Sequence, residues 1–207
     1  MTETVPAGLT VGSDGLARCA WAGSAREYLA YHDEEWGVPV HGESALYERI
    51  TLEAFQSGLA WITILRKRPA FRAAFAGFDP ERVAAFGDDD RARLLADPGI
   101  VRNARKVDAA ITNARAVLEL RAEGGIDAYV WSFAPGLHTR PATTTDLRAT
   151  SPESVALAAG LRRHGFVFVG PTTAYATMQA CGLVDDHLLG CHRAGTSGLA
   201  PLPPEPR

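Results

Sequence analysis

Two short segments at opposite ends of the sequence carry cysteine and histidine residues at a spacing suited to metal binding. Cys19 is followed by His32 near the N-terminus, and His187 is followed by Cys191 near the C-terminus. Two thiolates and two imidazoles form a complete tetrahedral ligand set for a structural zinc ion. His187 and Cys191 stand at i and i+4, so we expect them to share one face of a helical turn. A metal bound there would join the two ends of the fold and close a long loop.

The spacing alone leaves a second interpretation open. The gap between Cys19 and His32 is wider than in a zinc finger, and an isolated cysteine is commonly a small buried hydrophobic residue. The third cysteine, Cys181, lies in an apolar run and is predicted to belong to the core. His192 could compete with Cys191 as a ligand, but adjacent residues on a helix diverge by about 100°, so we expect only one of the two to face a metal.

The composition is typical of a folded chain in a reducing compartment. The chain has 207 residues, of which 46% are hydrophobic, and a net charge of −3. An odd number of cysteines and no charged-then-apolar leader predict a cytoplasmic protein without disulfides, and no apolar run is long enough for a membrane span. A net charge of this size neither indicates nor excludes nucleic acid, because a local basic face is sufficient to bind phosphate.

Helical periodicity dominates the middle of the chain, so the sequence predicts an all-α fold. Residues 1–17 and 194–207 are predicted to be disordered tails around a single domain of two helical lobes, residues 18–193. The predicted helices span residues 44–57, 61–68, 71–76, 79–86, 88–96, 102–123, 151–164 and 172–181. The isolated run 166–169 could form a strand.

Two of the predicted helices are joined by a segment that resembles a helix-hairpin-helix, near residues 97–106. Gly99 would let the backbone approach a phosphate, and the N–H groups at the start of the next helix can bind an anion. Arg102, Arg105 and Lys106 lie within two turns of that start, where cations oppose the helix dipole. An anionic partner therefore explains these cations better than helix stability does, although an ordinary helical turn with solvated charges is the alternative.

A second basic cluster supports the same kind of partner. Residues 61–78 contain four cations and no acidic residue, with aromatic residues between them. The cations are Arg66, Lys67, Arg68 and Arg72. Such a run is commonly a solvated face, but together with the hairpin it favours a surface that binds phosphate.

One carboxylate and several aromatic residues complete the set of candidate functional residues. Glu53 lies on the predicted helix 44–57 among apolar neighbours, either at the boundary of the buried face or inside a pocket. Aromatic clusters commonly belong to the core, but they can also form a box that stacks on a flat ring. The aromatic residues concerned are Trp21, Tyr28, Tyr31, Trp36 and Trp61.

Together these segments resemble the Tag family of 3-methyladenine DNA glycosylases, which are helix-hairpin-helix enzymes of base-excision repair. The matching strings run in order from residue 18 to 191, essentially the whole predicted domain. They are residues 18–21, 31–39, 52–63, 99–102, 130–133, 165–170 and 178–187. The sequence departs from the family pattern at Ala54, where glycine is expected, and at Asn103-Ala104, where a more basic pair is expected in the hairpin.

The resemblance implies a helix-hairpin-helix glycosylase fold in which zinc joins the N- and C-terminal segments. The implied ligands of one structural zinc ion per chain are Cys19, His32, His187 and Cys191. The implied catalytic residue is Glu53, facing an extruded base on which Trp61 stacks, in a pocket lined also by Trp21, Tyr28 and Tyr31. The implied contacts to the DNA backbone are Gly99, Ile100, Val101 and Arg102.

The function implied by the resemblance is hydrolysis of the glycosidic bond of 3-methyladenine in double-stranded alkylated DNA, by a monomeric, monofunctional enzyme without a membrane partner. A non-catalytic, zinc-stabilised module that binds damaged DNA is the alternative from another class. Such a module would need no carboxylate beside aromatic residues, so Glu53 and Trp61 favour the enzyme. A zinc hydrolase with His32, His187 and a carboxylate as ligands is a further alternative; it predicts that chelation removes activity without unfolding the protein.

Overall fold

The computed structural model describes residues 7–199 and is mostly helical, as the sequence predicts. A short antiparallel hairpin of β1 (Leu9–Val11) and β2 (Ala17–Cys19) precedes the helices. The α-helices of the described chain are α1 (Arg26–Glu34), α2 (Glu43–Gln56), α3 (Trp61–Ala74), α4 (Pro80–Ala84), α5 (Asp88–Ala96), α6 (Ala104–Leu120), α7 (Gly125–Trp131), α8 (Pro152–Arg163) and α9 (Pro171–Ala180). Short 3-10 turns occur at Ala20–Ser24, Ala76–Phe78, Arg121–Glu123 and Thr144–Asp146. Not one of these helices has the length and hydrophobicity needed to cross a membrane.

The chain divides into two compact units, each built from segments that are separated in sequence. The terminal unit contains the described parts of Met1–Pro39, Ala134–Ala149 and Met178–Arg207. The helical unit contains Val40–Phe133 and Thr150–Thr177. All four candidate zinc ligands belong to the terminal unit. Glu53, Trp61 and the segment 97–106 belong to the helical unit.

Aromatic side chains form much of the core of the helical unit. The ring of Phe55 on α2 lies 4.8 Å from the ring of Phe71 on α3, and Phe71 stacks on Phe75 at 6.1 Å. All three rings are fully buried. The long helix α6 packs against α2 and α4, and its apolar side chains, including Val107 and Val117, are buried. This core fixes the positions of α2 and α3, which carry Glu53 and Trp61.

Several helix ends follow local sequence signals. Asp79 accepts a hydrogen bond from the N–H of Glu81 at 2.9 Å, and this cap begins α4 as predicted. Ser151 accepts from the N–H of Ser154 at 3.2 Å and begins α8. α6 begins at Ala104, two residues later than predicted, because Asn103 provides its cap.

The prediction of separate helices on either side of Pro69 is wrong. α3 runs without interruption from Trp61 to Ala74 and contains Pro69. A proline inside a helix removes one hydrogen bond, but Phe71 is fully buried against Phe55 just beyond it. This aromatic packing stabilises the second half of α3 and outweighs the unfavourable helix propensity of proline.

The segment 166–169, which could form a strand according to the sequence, is not a strand in the structure. The side chain of Asn113 on α6 accepts from the N–H of Val167 at 2.8 Å and donates to its carbonyl at 3.1 Å. The next residue, Phe168, has a φ of 61°, which is incompatible with a strand. A buried amide therefore satisfies the backbone groups that a neighbouring strand would otherwise pair.

The terminal unit begins with a β-hairpin where the sequence predicts disorder. Leu9 pairs with Cys19 and Val11 with Ala17, so the structure differs from the predicted tail 1–17 over residues 9–17. Leu9 is buried in one cluster with Cys19, Leu188 and Cys191. Contact with this cluster orders a segment whose composition alone favours disorder.

The far ends of both predicted tails lie outside the described residues, namely 1–6 and 200–207. Residues 194–199, the start of the predicted C-terminal tail, form turns. The N–H of Gly198 donates to the carbonyl of Gly182 at 2.9 Å, and the N–H of Gly195 donates to Asp185 at 2.6 Å. This part of the predicted tail is therefore fixed to the terminal unit.

Gly182, two residues after the end of α9, is expected to tolerate no side chain. Its φ is 72°, and a Cβ would lie 2.7 Å from the carbonyl oxygen of Gly37 and 2.8 Å from the nitrogen of Pro39. Gly182→Ala should therefore lower the free energy of unfolding by more than about 3 kcal/mol, because the cost of the strained backbone conformation and the cost of the clash with the backbone are additive. Gly15→Ala is the matched control, because Gly15 has a φ of 78° and no atom within 4 Å of the Cβ position. It should cost only about 1 kcal/mol. Urea unfolding of both variants tests this, and equal losses would contradict it.

Candidate metal centre and base-binding site

Cys19, His32, His187 and Cys191 converge in the terminal unit. Cys19 ends β2, His32 lies on α1, and the other two residues follow α9. All four are buried, and their potential ligand atoms all lie within 4.8 Å of one another. Sγ of Cys191 lies 3.4 Å from Nε2 of His32 and 3.6 Å from Nδ1 of His187. The structure therefore brings together the four residues that the sequence singles out.

The expectation that His187 and Cys191 share a helical turn is wrong. Residues 187–191 form a non-helical turn in which the N–H of Cys191 donates to the carbonyl of Leu188 at 2.9 Å. Gly190, with a φ of 91°, permits this turn. His192 lies outside the four-residue cluster, with Nε2 at 3.0 Å from Oδ1 of Asp33. Only Cys191 of this adjacent pair joins the cluster.

The hydrogen bonds around the cluster fit a bound metal ion. Nδ1 of His32 lies 2.8 Å from Asp33, and Nε2 of His187 lies 3.1 Å from the carbonyl oxygen of Trp36. Each imidazole can thus carry its proton on the outward nitrogen and direct a lone pair at the cluster. The N–H groups of Leu188 and Arg193 approach the sulfurs of Cys19 and Cys191, each at 3.5 Å.

The surroundings of Cys191 stabilise its thiolate. A hydrogen bond from Cys19, followed in strength by contacts with His187 and His32, lowers the pKa of the Cys191 thiol against the effect of burial. A metal-binding cysteine must be a thiolate, so this environment favours the form of Cys191 that binds metal.

Trp21 lies beside the cluster and packs against other aromatic residues of the terminal unit. The ring of Trp21 lies 5.7 Å from Tyr28, 6.5 Å from Tyr31, 5.2 Å from Trp36 and also 5.2 Å from His32. Tyr31 is buried, whereas Trp21 and Tyr28 are only partly buried. Trp21 therefore packs against a candidate ligand while part of its surface stays accessible.

In the helical unit, Glu53 is a buried carboxyl on α2 with only 7% of its surface exposed. Burial raises its pKa to about 8, and the charge of Arg49, one turn earlier, opposes the rise. A carboxyl of this kind is protonated in much of the free protein at neutral pH. Sequence reasoning leaves the position of Glu53 open and overlooks Arg49, whose side chain is also buried.

Trp61 is the first residue of α3 and follows a tight turn after α2. Gly58 has a φ of 80°, and the N–H of Leu59 donates to the carbonyl of Gln56 at 2.6 Å. Lys106 on α6 supports the same turn, since its Nζ donates to the carbonyls of Phe55 at 2.8 Å and Ser57 at 2.6 Å.

The prediction that Lys106 serves an anionic partner is wrong, because its amine is buried against the end of α2. Burial also lowers its pKa. The signal was present in the sequence: Lys106 lies at helical spacing with Ala110 and Asn113, which belong to the buried face of α6.

The segment that joins α5 to α6 is stabilised by internal contacts. The N–H of Gly99 donates to Asp97 at 2.7 Å, and Lys67 donates to the carbonyl of Pro98 at 2.8 Å. A Cβ on Gly99 would lie 2.9 Å from the Cβ of Ala70, so close packing with α3 requires the glycine. Ile100 is also buried, and Arg102 is exposed. Of the predicted DNA contacts, Arg102 is the one that presents a cation to solvent.

Two of the predicted cations, one in each basic cluster, have partners within the protein. In the cluster of residues 61–78, Nε of Arg72 donates to both carboxylate oxygens of Glu48, at 2.9 and 3.1 Å. In the segment that joins α5 to α6 and the start of α6, Arg105 lies over the ring of Phe168, with 5.7 Å from its guanidinium carbon to the ring centroid. Fewer of the predicted cations are thus available for phosphate than the sequence indicates.

Comparison with known proteins identifies the family of this chain. A family model described as methyladenine glycosylase matches residues 21–194. DNA-3-methyladenine glycosylase 1 of Escherichia coli (strain K12) is 45% identical over 181 residues, which are 85% of this chain and 96% of the relative. DNA-3-methyladenine glycosylase of Haemophilus influenzae is 41% identical over 84% of this chain and 96% of its own.

Solved structures give the same result. A crystal structure of 3-methyladenine DNA glycosylase I has a TM-score of 0.81 and 47% identity, over 84% of this chain and 98% of that one. A structure that describes 3-methyladenine recognition by 3-methyladenine DNA glycosylase I of Staphylococcus aureus has a TM-score of 0.81 and 33% identity, over 86% and 96% of the two chains. The chain therefore belongs to the methyladenine glycosylase family.

Proposed function

We propose that this protein is a monofunctional DNA glycosylase that hydrolyses the glycosidic bond of 3-methyladenine in alkylated double-stranded DNA. The observation that carries the proposal is the buried carboxyl of Glu53 on α2, with Trp61 at the start of the next helix, α3, in a member of this family. Relatives at 41% and 45% identity are named for this activity.

The proposed mechanism selects the base by its charge. The target base must leave the helical stack before it can be cut. A 3-methylated adenine is cationic, and its glycosidic bond is already weakened, so the enzyme need not protonate it. Glu53 binds the exocyclic amine as a carboxylate and favours the cation over neutral adenine. Trp61 stacks on the ring, and π-faces attract a cationic ring more strongly than a neutral one.

This mechanism predicts a distinct dependence on pH. The pKa of Glu53 in the free protein is about 8 because of burial, and the ionised form is the one that binds a cation. We therefore expect kcat/KM to rise with pH through about 8, since kcat/KM reports the free enzyme. The cationic base favours the carboxylate, so kcat should reach its plateau at a lower pH. Steady-state kinetics between pH 6 and pH 9 test this, and a kcat/KM that falls across this range would contradict it.

The enzyme should leave the DNA strand intact, because it offers no lysine nucleophile. The sequence contains two lysines, Lys67 and Lys106. Both amines donate to backbone carbonyls in the helical unit. A duplex with a single 3-methyladenine should therefore acquire an abasic site that breaks only after alkali treatment. Strand cleavage without alkali would refute the monofunctional assignment, and no alkali-labile site at all would refute the glycosylase.

We further propose that Cys19, His32, His187 and Cys191 hold a structural zinc ion. The support is the donor set, its burial and the outward hydrogen bonds of both imidazoles. When bound, zinc would cross-link the two chain ends within the terminal unit and neutralise the thiolates. Four protein ligands leave no position for an activated water, so we assign the metal no part in hydrolysis.

For DNA contact, we propose that the helix-hairpin-helix segment Gly99–Arg102 grips the backbone, with Arg102 as the main cation. Arg102→Ala should reduce the slope of log Kd against log salt by about 1, the effect of one phosphate contact. Lys106→Met should leave that slope unchanged but lower the free energy of unfolding by about 1–3 kcal/mol, since two carbonyls lose a charged donor. Salt titrations of duplex binding compare the two variants, and identical slopes for Arg102→Ala and wild type would contradict the assignment.

A further inference from the structure

Asp33, the residue after His32, accepts hydrogen bonds from three different segments of the terminal unit. Oδ1 lies 2.8 Å from Nδ1 of His32 and 3.0 Å from Nε2 of His192. Arg18 donates from Nε to both oxygens, at 3.0 and 2.9 Å, and from Nη2 to Oδ2 at 2.8 Å. One carboxylate thus connects β2, α1 and the C-terminal segment.

Each of these three partners is a candidate zinc ligand or its immediate neighbour. Arg18 precedes Cys19, His32 is itself a ligand, and His192 follows Cys191. Three of the four candidate ligands are therefore positioned through Asp33. The fourth, His187, is oriented separately by the carbonyl of Trp36 at 3.1 Å.

We propose that Asp33 is the positioning residue of the metal centre, which fixes His32 and both cysteine segments in the geometry that retains zinc. The inference rests on the zinc site proposed above. By accepting the Nδ1 proton of His32, Asp33 keeps the lone pair of Nε2 directed at the cluster. By holding Arg18 and His192, it restrains the backbone on either side of the two thiols.

Asp14 provides a matched control for the role of Asp33. Asp14 supplies the second carboxylate that binds Arg18, with Oδ2 at 2.7 Å from Nη2 of Arg18. Asp14 contacts no candidate ligand directly and is about half exposed. A substitution at Asp14 therefore removes a similar ion pair without releasing His32 or His192.

The experiment compares Asp33→Asn and Asp14→Asn in the zinc-loaded, full-length chain. Asparagine keeps one acceptor oxygen but removes the charge and the second oxygen that bind Arg18. Competition with a chromophoric chelator measures zinc affinity, and Asp33→Asn should lower that affinity roughly 10- to 100-fold. Asp14→Asn should stay close to wild type. Circular dichroism verifies that each variant is folded.

A spectroscopic measurement separates positioning from a general loss of stability. In the Co²⁺-substituted protein, Asp33→Asn should change the visible absorption of the tetrahedral site, whereas Asp14→Asn should not. His192→Ala provides a further variant, because it removes one of the three segments held by Asp33. Zinc release from His192→Ala should be faster than from wild type, and an unchanged rate would count against the proposal.

The outcomes distinguish this inference from the proposal on which it rests. A folded wild-type chain that binds no zinc would overturn the metal site itself and, with it, the role of Asp33. If wild type holds one zinc ion and Asp33→Asn holds it with the same affinity and the same Co²⁺ spectrum, the zinc site stands and only the role of Asp33 is overturned.

Discussion

Glu53→Gln should lower kcat/KM for release of 3-methyladenine roughly 10- to 150-fold, the equivalent of about 1.5–3 kcal/mol for a hydrogen bond to a charged group. Glutamine keeps the shape and a carbonyl acceptor for the exocyclic amine, but it cannot supply the negative charge that favours a cationic base. Single-turnover kinetics on methylated duplex DNA measure the loss. Full activity in the folded variant would contradict the role of Glu53.

The same substitution should leave the fold intact near neutral pH. Because burial raises the pKa of Glu53 to about 8, the free protein at neutral pH holds this carboxyl mostly protonated, a form that glutamine imitates. The folded pKa lies above the ordinary value of 4.5, so the contribution of Glu53 to stability is fully present below 4.5 and is lost as the pH rises from there through about 8. At higher pH, Glu53→Gln should be more stable than wild type.

Glu48→Gln is the matched control for this experiment. Glu48 lies on the same helix and is also buried, but its carboxylate pairs with Arg72 at 2.9 Å. Its substitution should cost a little stability and leave kcat/KM close to wild type. Equal losses of activity in both variants would show that any substitution of a buried glutamate on α2 impairs the enzyme. That result would contradict a specific role of Glu53.

Removal of zinc should unfold the terminal unit and abolish base release together. A metal held by Cys19 and Cys191 closes a loop of nearly the whole chain, so its binding free energy contributes directly to folding. Cys191→Ser should lower the melting temperature by roughly 10 °C or more, the shift that a loss of a few kcal/mol produces in a chain of this length. Differential scanning calorimetry, zinc analysis and base release on the same samples test this prediction.

Cys181→Ala is the control for the loss of a thiol. Cys181 is buried but lies outside the four-residue cluster, so its variant should keep the zinc ion and most of the activity. Chelation that abolishes base release while the melting temperature stays constant would contradict a structural metal. That outcome would favour the zinc hydrolase, in which the metal acts on water.

The sequence predicts the convergence of the Cys/His cluster because its residue types are chemically specific. Few side chains bind zinc, and Cys19, His32, His187 and Cys191 supply a complete set. Helix starts at Asp79 and Ser151 were predictable for a similar reason, since a capping side chain satisfies the backbone beside it. Each of these signals depends on the chemistry of the residue itself.

Features that depend on tertiary packing escaped prediction. α3 continues through Pro69 because Phe71 packs on Phe55, and the propensity of proline alone indicates a break. Lysine is commonly a surface residue, but Lys106 is buried and its amine donates a hydrogen bond to a carbonyl at the end of α2. Asp33 binds Arg18 and His192, which are distant from it in sequence, and only the folded chain reveals these contacts.

The central claim, that this protein excises 3-methyladenine, is tested most directly by chromatography of the bases released from methylated duplex DNA. The zinc-loaded wild-type protein should release free 3-methyladenine and leave unmodified adenine in the strand. A folded, zinc-loaded protein that binds the duplex but releases no base would contradict the account and would identify the chain as a non-catalytic module that binds damaged DNA.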